Sequence, residues 1–376
     1  MADRLRRTVR ATDTVARLGG DEFAILLEDI EDGNEAKNVA RRNLEGISDP
    51  FQVGPKSVPL QGSLGLALHL PAESEGDVDA LIRDADVAMY IAKHRGGNRI
   101  VDFEASMRAS AAERLELELD LRRALSLRQI AVHYQPTVDL ASGHIVGVEA
   151  LARWHHPTRG NIPPDVFIPL AEESDLIVTI GQWVLEQACD QARTWNEGLP
   201  GRVPLTMSVN VSPIQLKREA FVHDVARVLQ TTQIRPELLT LEITETALME
   251  DSDASIKALR ALKALGVRLA IDDFGTGYSS LNYLQRMPVD ILKIDRSFVD
   301  RIEHGGDKLA FARAIIELAR TLSLRTVAEG IEVQAQANRL DELGCDLGQG
   351  FLFARPVPAE EMTRLLANPL EDRAAS

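Results

Sequence analysis

The pattern of hydrophobic and polar positions divides the 376-residue chain into two unlike parts. From residue 130 onward, short apolar segments rich in β-branched residues alternate with amphipathic helical patterns. One helical pattern, over 253–265, stops at Gly266, and a later one stops at Gly344, as helices commonly do. Eight strands separated by helices favour an α/β fold of the (β/α)₈ TIM-like barrel type, with an open doubly wound sheet as the alternative. The strand candidates are residues 130–134, 145–150, 205–209, 239–243, 268–271, 289–294, 325–328 and 347–351.

The first 103 residues lack this regular alternation and mix short strands with helices. Residues 23–27 and 64–68 are apolar runs that fit buried strands. Residues 34–47 and 80–93 predict helices, so this part is expected to form a separate domain.

Residues 104–129 are rich in Glu, Leu, Arg and Ala and predict a single helix. Leu117, Leu121 and Leu125 are spaced four apart and would lie on one face of it. The helix is either a connector between the two domains or the first helix of the second domain.

Composition restricts the possible functions. The formal net charge of −15 disfavours binding to a nucleic-acid polymer, because such binding needs a basic surface that displaces counterions. Cys189 and Cys345 are too few for a disulfide framework and fit a reducing compartment. No apolar run reaches the roughly 18 residues that span a bilayer, and the N-terminus does not resemble a signal peptide. We therefore expect a cytoplasmic protein with no membrane segment in this chain.

Polar residues follow or end the strands of the predicted barrel. The carboxyl ends of barrel strands meet on one face, where such folds build their active sites. Glu242, Asp272 and Lys293 are separated by about one strand–helix repeat of roughly 30 residues or less, so we expect them to converge in space. The strand-end residues are Gln135, Glu149, Asn210, Glu242, Asp272, Asp273, Lys293, Asp295, Glu329 and Gln349.

Several carboxylates that face one another repel unless a cation lies between them or some stay protonated. Carboxylate and amide oxygens suit Mg²⁺ or Mn²⁺, and the adjacent pair Asp272 and Asp273 could bridge two ions. Two metals about 3.5–4 Å apart can activate water for phosphoryl displacement. Any one of these acids alone has a simpler interpretation as a helix cap. His155 and His156, beside Pro157, are interpreted as loop residues rather than metal ligands.

Around these residues the chain resembles the EAL family of cyclic di-GMP phosphodiesterases. The resemblance covers residues 113–368, essentially the whole second domain, and nine ordered segments are far more specific than one short motif. The matching segments are 134–136, 149–154, 208–212, 241–245, 272–280, 292–295, 328–330, 344–350 and 355–356.

The resemblance implies hydrolysis of cyclic di-GMP to linear pGpG with two Mg²⁺ or Mn²⁺ ions, inhibition by Ca²⁺, and a homodimer formed through the barrel. Lys293, Glu329 and Glu245 would be the catalytic residues, with Lys293 orienting and helping to deprotonate the attacking water and Glu245 bracing the segment 273–280. The implied metal ligands are Glu149, Asn210, Glu242, Asp272, Asp273, Glu329 and Gln349, and the implied substrate-binding residues are Gln135, Leu151, Arg153, Asp295 and Arg355.

The first 103 residues resemble the GGDEF domain of diguanylate cyclases, an α+β nucleotide-cyclase-like fold. Residues 17–23 match its signature turn, 85–99 match its closing segment, and Arg10 and Asp13 match its inhibitory product-binding site. The family's opening strand and helix, which carry a metal-binding aspartate and guanine-reading residues, would precede residue 1. We therefore expect an incomplete, loosely packed domain without cyclase activity, and a residue 1 that is an internal start or a truncation.

Two alternatives to the hydrolase stay open. A receptor that holds cyclic di-GMP without cutting it would signal through the dimer, but the presence of Lys293, Glu329 and all the implied metal ligands disfavours it. A barrel hydrolase for another phosphodiester is disfavoured only by the resemblance at Gln135 and Arg153.

Overall fold

The chain forms two compact units, and the division between them falls inside a long helix. The structure is a computed structural model that describes residues 1–30, 32–53, 56–58, 60–69, 78–94, 97–198, 203–249, 252–275 and 281–367. The first unit is Met1–Leu117 and the second is Glu118–Ser376. The dividing position lies within the helix Ala105–Ala124. Every helix among the described residues is too short or too polar to cross a lipid bilayer.

The first part of the chain alternates helices and short strands without a regular repeat. Its elements are α1 (Ala2–Thr8), β1 (Thr14–Gly19), β2 (Glu22–Leu26), α2 (Gly33–Ser48), β3 (Phe51–Val53), β4 (Lys56–Val58), β5 (Leu64–Leu66), α3 (Val78–His94), β6 (Ile100–Asp102) and α4 (Ala105–Ala124). The strands β1 and β2 form an antiparallel hairpin around Gly20, whose φ is +50°. The strands β3 and β4 pair antiparallel, and β5 runs parallel to β6, so the described strands form three separate two-stranded sheets.

The predicted helices of this part are confirmed as α2 and α3, and the predicted strands exist as β2 and β5. The expectation that both strands are buried was wrong, since their residues are half-buried or exposed. The predicted helix over 104–129 ends at Ala124 instead. Arg128 adopts a φ of +56°, and the backbone N–H of Gln129 donates to the carbonyl of Ala124 at 2.8 Å, which turns the chain into the next strand.

The second unit alternates strands and helices as the pattern predicted. Its strands are β7 (Ile130–Asp139), β8 (Ile145–His156), β9 (Gly160–Ile162), β10 (Thr206–Asn210), β11 (Leu239–Thr244), β12 (Arg268–Phe274), β13 (Ile291–Ile294), β14 (Arg325–Ala328) and β15 (Leu347–Gly348). Its α-helices are α5 (Pro164–Glu173), α6 (Leu176–Gly198), α7 (Pro213–Leu216), α8 (Phe221–Thr232), α9 (Glu245–Met249), α10 (Ser252–Ala264), α11 (Leu281–Arg286), α12 (Arg296–Val299), α13 (Asp307–Thr321), α14 (Gln334–Glu342) and α15 (Ala359–Ala367).

Eight of these strands close into a barrel, which confirms the predicted fold. The strands β8, β10, β11, β12, β13, β14 and β15 pair with their neighbours in parallel. The strand β7 pairs antiparallel with both β15 and β8 and so completes the ring. The short strand β9 extends the sheet beyond β8.

The prediction that a helix separates every pair of strands was wrong at the start of the barrel. The strands β7 and β8 are joined directly as a hairpin, because the chain turns back within the five residues after Asp139. In this turn Gly143 has a φ of +71°, and the Asp139 carboxylate accepts from the backbone and hydroxyl of Ser142. One strand of the barrel therefore runs against the other seven.

Candidate active site

Polar side chains of successive parallel strands lie within two residues of one another in the strand register. Asn210 pairs in register with Glu242, and Thr244 pairs with Asp272 on the next strand. The chain order of these residues follows the strand order, so the predicted convergence of strand ends is present. Hydrogen bonds and ion pairs connect eight converging side chains, which are Gln135, Glu149, Asn210, Glu242, Asp272, Lys293, Glu329 and Gln349.

Lys293 lies at the centre of this group and is only 1% exposed. Its ammonium Nζ lies 2.5 Å from Glu242 Oε2 and 2.6 Å from Glu329 Oε1. Asp272 Oδ1 is 3.1 Å away and Glu149 Oε2 is 3.9 Å away. Four carboxylates from four different strands of the barrel therefore surround one cation.

Burial and charge change the acidity of these groups. Burial by itself would lower the pKa of Lys293, but the surrounding carboxylates raise it well above its ordinary value, so the side chain is an ammonium. Burial raises the pKa of Glu242 well above its ordinary value, against the attraction of Lys293. Burial likewise raises the pKa of Glu329 to about 8. A single ammonium does not neutralise the cluster, so the protonated forms of Glu242 and Glu329 are favoured unless further cations are present.

Amide side chains donate hydrogen bonds to both carboxylate oxygens of Glu149. The Asn210 amide Nδ2 donates to Glu149 Oε1 at 2.6 Å, and Gln349 Nε2 donates to Glu149 Oε2 at 2.6 Å. Gln349 Nε2 also donates to Gln135 Oε1 at 3.1 Å. Gln135 and Glu149 were both predicted to lie at strand ends, which was wrong. Gln135 lies inside β7, directly opposite Glu149, which lies inside β8. It reaches the site because β7 runs antiparallel.

Asp272, Asp273 and Glu329 offer a second group of oxygen atoms. Each residue places one carboxylate oxygen within 4.8 Å of the other two. Asp273 has a φ of +54°, and its backbone N–H donates to Asp272 Oδ1 at 3.0 Å. Burial and the charges of Asp272 and Asp295 raise the pKa of Asp273. Such a crowded set of hard oxygen donors fits a divalent cation, which would offset the repulsion.

Glu245 is almost completely buried at the start of α9 and contacts the chain that follows Asp273. Its Oε2 accepts from the backbone N–H of Gly275 at 2.8 Å. Gly275 has a φ of +101°, and a Cβ there would lie 2.7 Å from the Phe298 ring. The remaining residues of the predicted segment, 276–280, lie outside the described residues.

The predicted substrate-binding residues lie in three different parts of the second unit. Leu151 and Arg153 follow Glu149 at intervals of two along β8, so all three share one face of the strand. Burial lowers the pKa of Arg153, while the charge of Glu149 favours its ionised form. Asp295 accepts from the backbone N–H of Ser297 at 3.0 Å and caps α12, and Arg355 lies over the Phe351 ring at 4.2 Å. The contacts of the last two are thus local.

Comparison with known proteins agrees with this geometry. Residues 118–356 match the EAL domain, and residues 1–99 match the GGDEF domain of diguanylate cyclases. The chain belongs to the EAL domain family. The match covers well over half of the chain and includes every strand of the barrel.

The EAL chain is similar over nearly its whole length to longer proteins of Pseudomonas aeruginosa. The bifunctional diguanylate cyclase/cyclic di-GMP phosphodiesterase MucR is 46% identical over 367 residues, which cover 98% of this chain and 53% of the relative. The cyclic di-GMP phosphodiesterase NbdA is 38% identical over 366 residues, which cover 97% of this chain and 46% of the relative. The chain spans about half the length of the curated relatives it matches.

Solved EAL structures share the barrel. The PaMucR phosphodiesterase in complex with c-di-GMP is 48% identical with a TM-score of 0.63, covering 66% of this chain and 99% of that chain. The EAL enzyme Bd1971, in its cAMP- and cyclic-di-GMP-bound form, is 33% identical with a TM-score of 0.66, covering 78% and 77%.

The structure of the EAL domain corrects the interpretation of two histidines. His155 and His156 do not lie in a loop but end the strand β8. The buried His156 donates from Nε2 to Asp120 Oδ2 at 3.0 Å, and its Nδ1 accepts from the backbone N–H groups of Thr158 and Arg159. His156 thus joins the end of β8 to the end of α4.

The segment that follows β15 contacts the site at a point that the strand-end pattern did not predict, although the family resemblance had singled out Arg355 within it. Gln135 Nε2 donates to the carbonyl of Ala354 at 3.0 Å. The backbones of Tyr134 and Val357 exchange two hydrogen bonds of 2.7 and 2.9 Å, so this segment runs beside β7. The signal in the sequence was a polar Gln135 within an apolar run, which needs a partner when buried.

Proposed function

We propose that the EAL domain of this chain hydrolyses cyclic di-GMP to linear pGpG with water activated between two Mg²⁺ or Mn²⁺ ions. The observation that carries the proposal is the convergence of four carboxylates on the buried ammonium of Lys293. MucR and NbdA, whose names include cyclic di-GMP phosphodiesterase, are similar to this protein over nearly the whole chain. The complex of PaMucR with c-di-GMP supports the same ligand.

The donor set fits the proposed metals. Every group in it is a carboxylate or an amide oxygen, which are the ligands that Mg²⁺ and Mn²⁺ prefer. When bound, the ions would supply a water of lowered pKa and neutralise the excess negative charge of the cluster. The residues proposed to hold them are Glu149, Asn210, Glu242, Asp272, Asp273, Glu329 and Gln349.

The other residues act on the water and on the substrate. The ammonium of Lys293 donates hydrogen bonds from a fixed position and orients the attacking water, because four carboxylates hold it in place. Glu329 Oε1 lies 2.6 Å from the Lys293 ammonium, so Glu329 can hold a metal ion and fix the position of Lys293 at the same time. Arg153 supplies positive charge for a phosphate, and Leu151 supplies apolar surface for a base. Gln135, Asp295 and Arg355 are proposed as the remaining substrate contacts.

Hydrolysis by the purified chain tests the proposal. We expect conversion of cyclic di-GMP to pGpG with Mg²⁺ or Mn²⁺, and a loss of at least about 100-fold in Glu149→Ala, because a metal ligand is removed. Glu237→Ala is the matched control, since Glu237 is an exposed carboxylate just before the amino end of β11 and should leave the rate unchanged. Tight binding of cyclic di-GMP without conversion would instead identify a receptor.

We propose further that the barrel forms a homodimer and that residues 1–103 do not cyclise GTP. Sedimentation of the purified chain at several concentrations measures the first. Incubation with GTP and Mg²⁺ measures the second, and formation of cyclic di-GMP would contradict it. The relative MucR carries a bifunctional name, so this experiment separates the chain from that relative.

A further inference from the structure

His133 lies on the same face of the β7–β8 hairpin as the proposed substrate residues. Gln135 pairs with Glu149 across the two strands, and His133 pairs with Leu151 two residues further along. Directly opposed residues of an antiparallel pair share a face, and so do residues two apart. The register is unbroken over these residues. His133 therefore lies two residues along β7 from Gln135, which faces the carboxylate cluster, and directly opposite Leu151.

The surroundings of His133 are polar and partly closed. The His133 and His155 rings lie with their centroids 5.8 Å apart. Arg153 and Glu361 are near enough to act on its charge. His133 is half-buried, so part of the residue stays exposed.

The hydrogen bond of His133 determines which of its nitrogens carries a proton. His133 Nδ1 lies 3.3 Å from the carbonyl oxygen of Pro356. A carbonyl only accepts, so Nδ1 must carry the proton and donate it. In the neutral ring, Nε2 is then a free acceptor, and the described residues offer it no hydrogen-bond donor. Burial lowers the pKa of His133, as does the charge of Arg153, which favours this neutral form.

We propose that Nε2 of His133 accepts a hydrogen bond from the exocyclic amino group of a guanine base and makes the site selective for guanine. The inference rests on the proposed function, since it adds a specificity residue to the same site. The exocyclic amino group of guanine, on C2, is a hydrogen-bond donor. Adenine and hypoxanthine carry no amino group on C2. An acceptor held in place by the Pro356 carbonyl would be satisfied by guanine and left unpaired by the other bases.

A comparison of two substrates with three proteins tests this inference. The substrates are cyclic di-GMP and cyclic di-IMP, which differ only in the amino groups of the bases. The proteins are the full chain, His133→Phe, which keeps a ring but removes the acceptor, and His133→Gln, which restores a neutral acceptor. Hydrolysis is followed with Mg²⁺, binding is measured by calorimetry with Ca²⁺, and thermal unfolding checks that each variant is folded.

We expect His133→Phe to lower kcat/KM for cyclic di-GMP about five- to tenfold, mostly through KM, which corresponds to one lost hydrogen bond. The value for cyclic di-IMP should change less than about twofold, since its base has no amino group to lose, and His133→Gln should regain part of the difference. Equal losses for both substrates, or no loss for either, would overturn the role of His133.

The outcomes separate this inference from the proposed function. If the unmodified chain hydrolyses neither substrate, the hydrolase proposal fails, and the affinities with Ca²⁺ still compare the two bases. A preference for cyclic di-GMP that His133→Phe removes would then support His133 as the residue that recognises guanine. A preference that His133→Phe leaves unchanged would contradict it.

Discussion

At the residue scale, the site depends on a lysine placed inside a buried barrel strand. All four residues of β13 are buried, and Lys293 lies between Leu292 and Ile294, which are 0% exposed. Burying an ammonium without a counterion would be very costly, so its stability here depends on the carboxylates from neighbouring strands. The same carboxylates depend on Lys293 when metal ions are absent. Chemistry and folding stability therefore share one group of side chains.

Lys293→Met should abolish catalysis and destabilise the metal-free protein. We expect kcat to fall at least about 100-fold, because the group proposed to orient the water is lost. In EDTA the free energy of unfolding should fall by about 3–5 kcal/mol, since the carboxylates keep their burial and lose their cation. Mg²⁺ should recover much of this stability, because it replaces the missing charge. Denaturant unfolding with and without Mg²⁺ measures both effects, and an unchanged stability in EDTA would contradict the argument.

At the element scale, the antiparallel strand β7 brings residues to the site that an all-parallel barrel would place elsewhere. Because β7 runs against β8, Gln135 and His133 face Glu149 and Leu151 in register. The chain after β15 then pairs with β7 through Tyr134 and Val357. The hairpin thus joins the two ends of the EAL domain next to the carboxylate cluster. The rule that active sites form at strand ends located this site, although Gln135 and Glu149 lie inside their strands.

Glu245 connects the short helix α9 to the end of β12, and its removal should affect rate more than substrate binding. In Glu245→Ala the Gly275 N–H loses its acceptor, so we expect kcat to fall about 10- to 100-fold with little change in KM. Glu245→Gln keeps an oxygen acceptor and should retain more activity. Steady-state kinetics measures the difference. A variant with a lower melting temperature but a normal kcat would show that Glu245 serves stability alone.

At the scale of the whole molecule, the two units should respond differently to metal ions. The oxygen donors all belong to the second unit, Glu118–Ser376. The first unit has its own tight contact, since a Cβ on Gly65 would lie 2.0 Å from the Ala85 carbonyl oxygen and 2.2 Å from the Met89 nitrogen. Gly65→Ala should therefore weaken the packing of β5 against α3 and shift the unfolding transition of the first unit. The transition that shifts can then be assigned to that unit.

Scanning calorimetry of the full chain should show that Mg²⁺ stabilises only the barrel. Mg²⁺ at 100 times its Kd should add about 2.7 kcal/mol to the free energy of unfolding of that unit, because it binds only the folded form. The transition that Gly65→Ala moves should not respond to Mg²⁺. Ca²⁺ should also raise the barrel transition without supporting hydrolysis. A shift of both transitions, or of neither, would contradict the assignment of the metal site.

The sequence by itself determined the class of fold and predicted which polar side chains converge in the candidate site. Alternation of apolar strands and amphipathic helices predicted the barrel, because each strand needs residues that can be buried on both faces. The spacing of Glu242, Asp272 and Lys293 predicted their convergence, because parallel strands carry their ends to one side. The sequence also predicted that two helices stop at Gly266 and Gly344, and these glycines have left-handed φ angles of +91° and +81°.

Only the tertiary structure decided the contacts that depend on strand direction and on pairing between distant segments. Strand direction is set by the connection and the neighbours rather than by local pattern, so the antiparallel β7 and the position of Gln135 were missed. The partner of His156 and the protonated nitrogen of His133 depend on Asp120 and on the Pro356 carbonyl, which the local sequence does not specify. Hydrophobic periodicity is local, whereas these hydrogen bonds join residues separated by 36 and 223 positions.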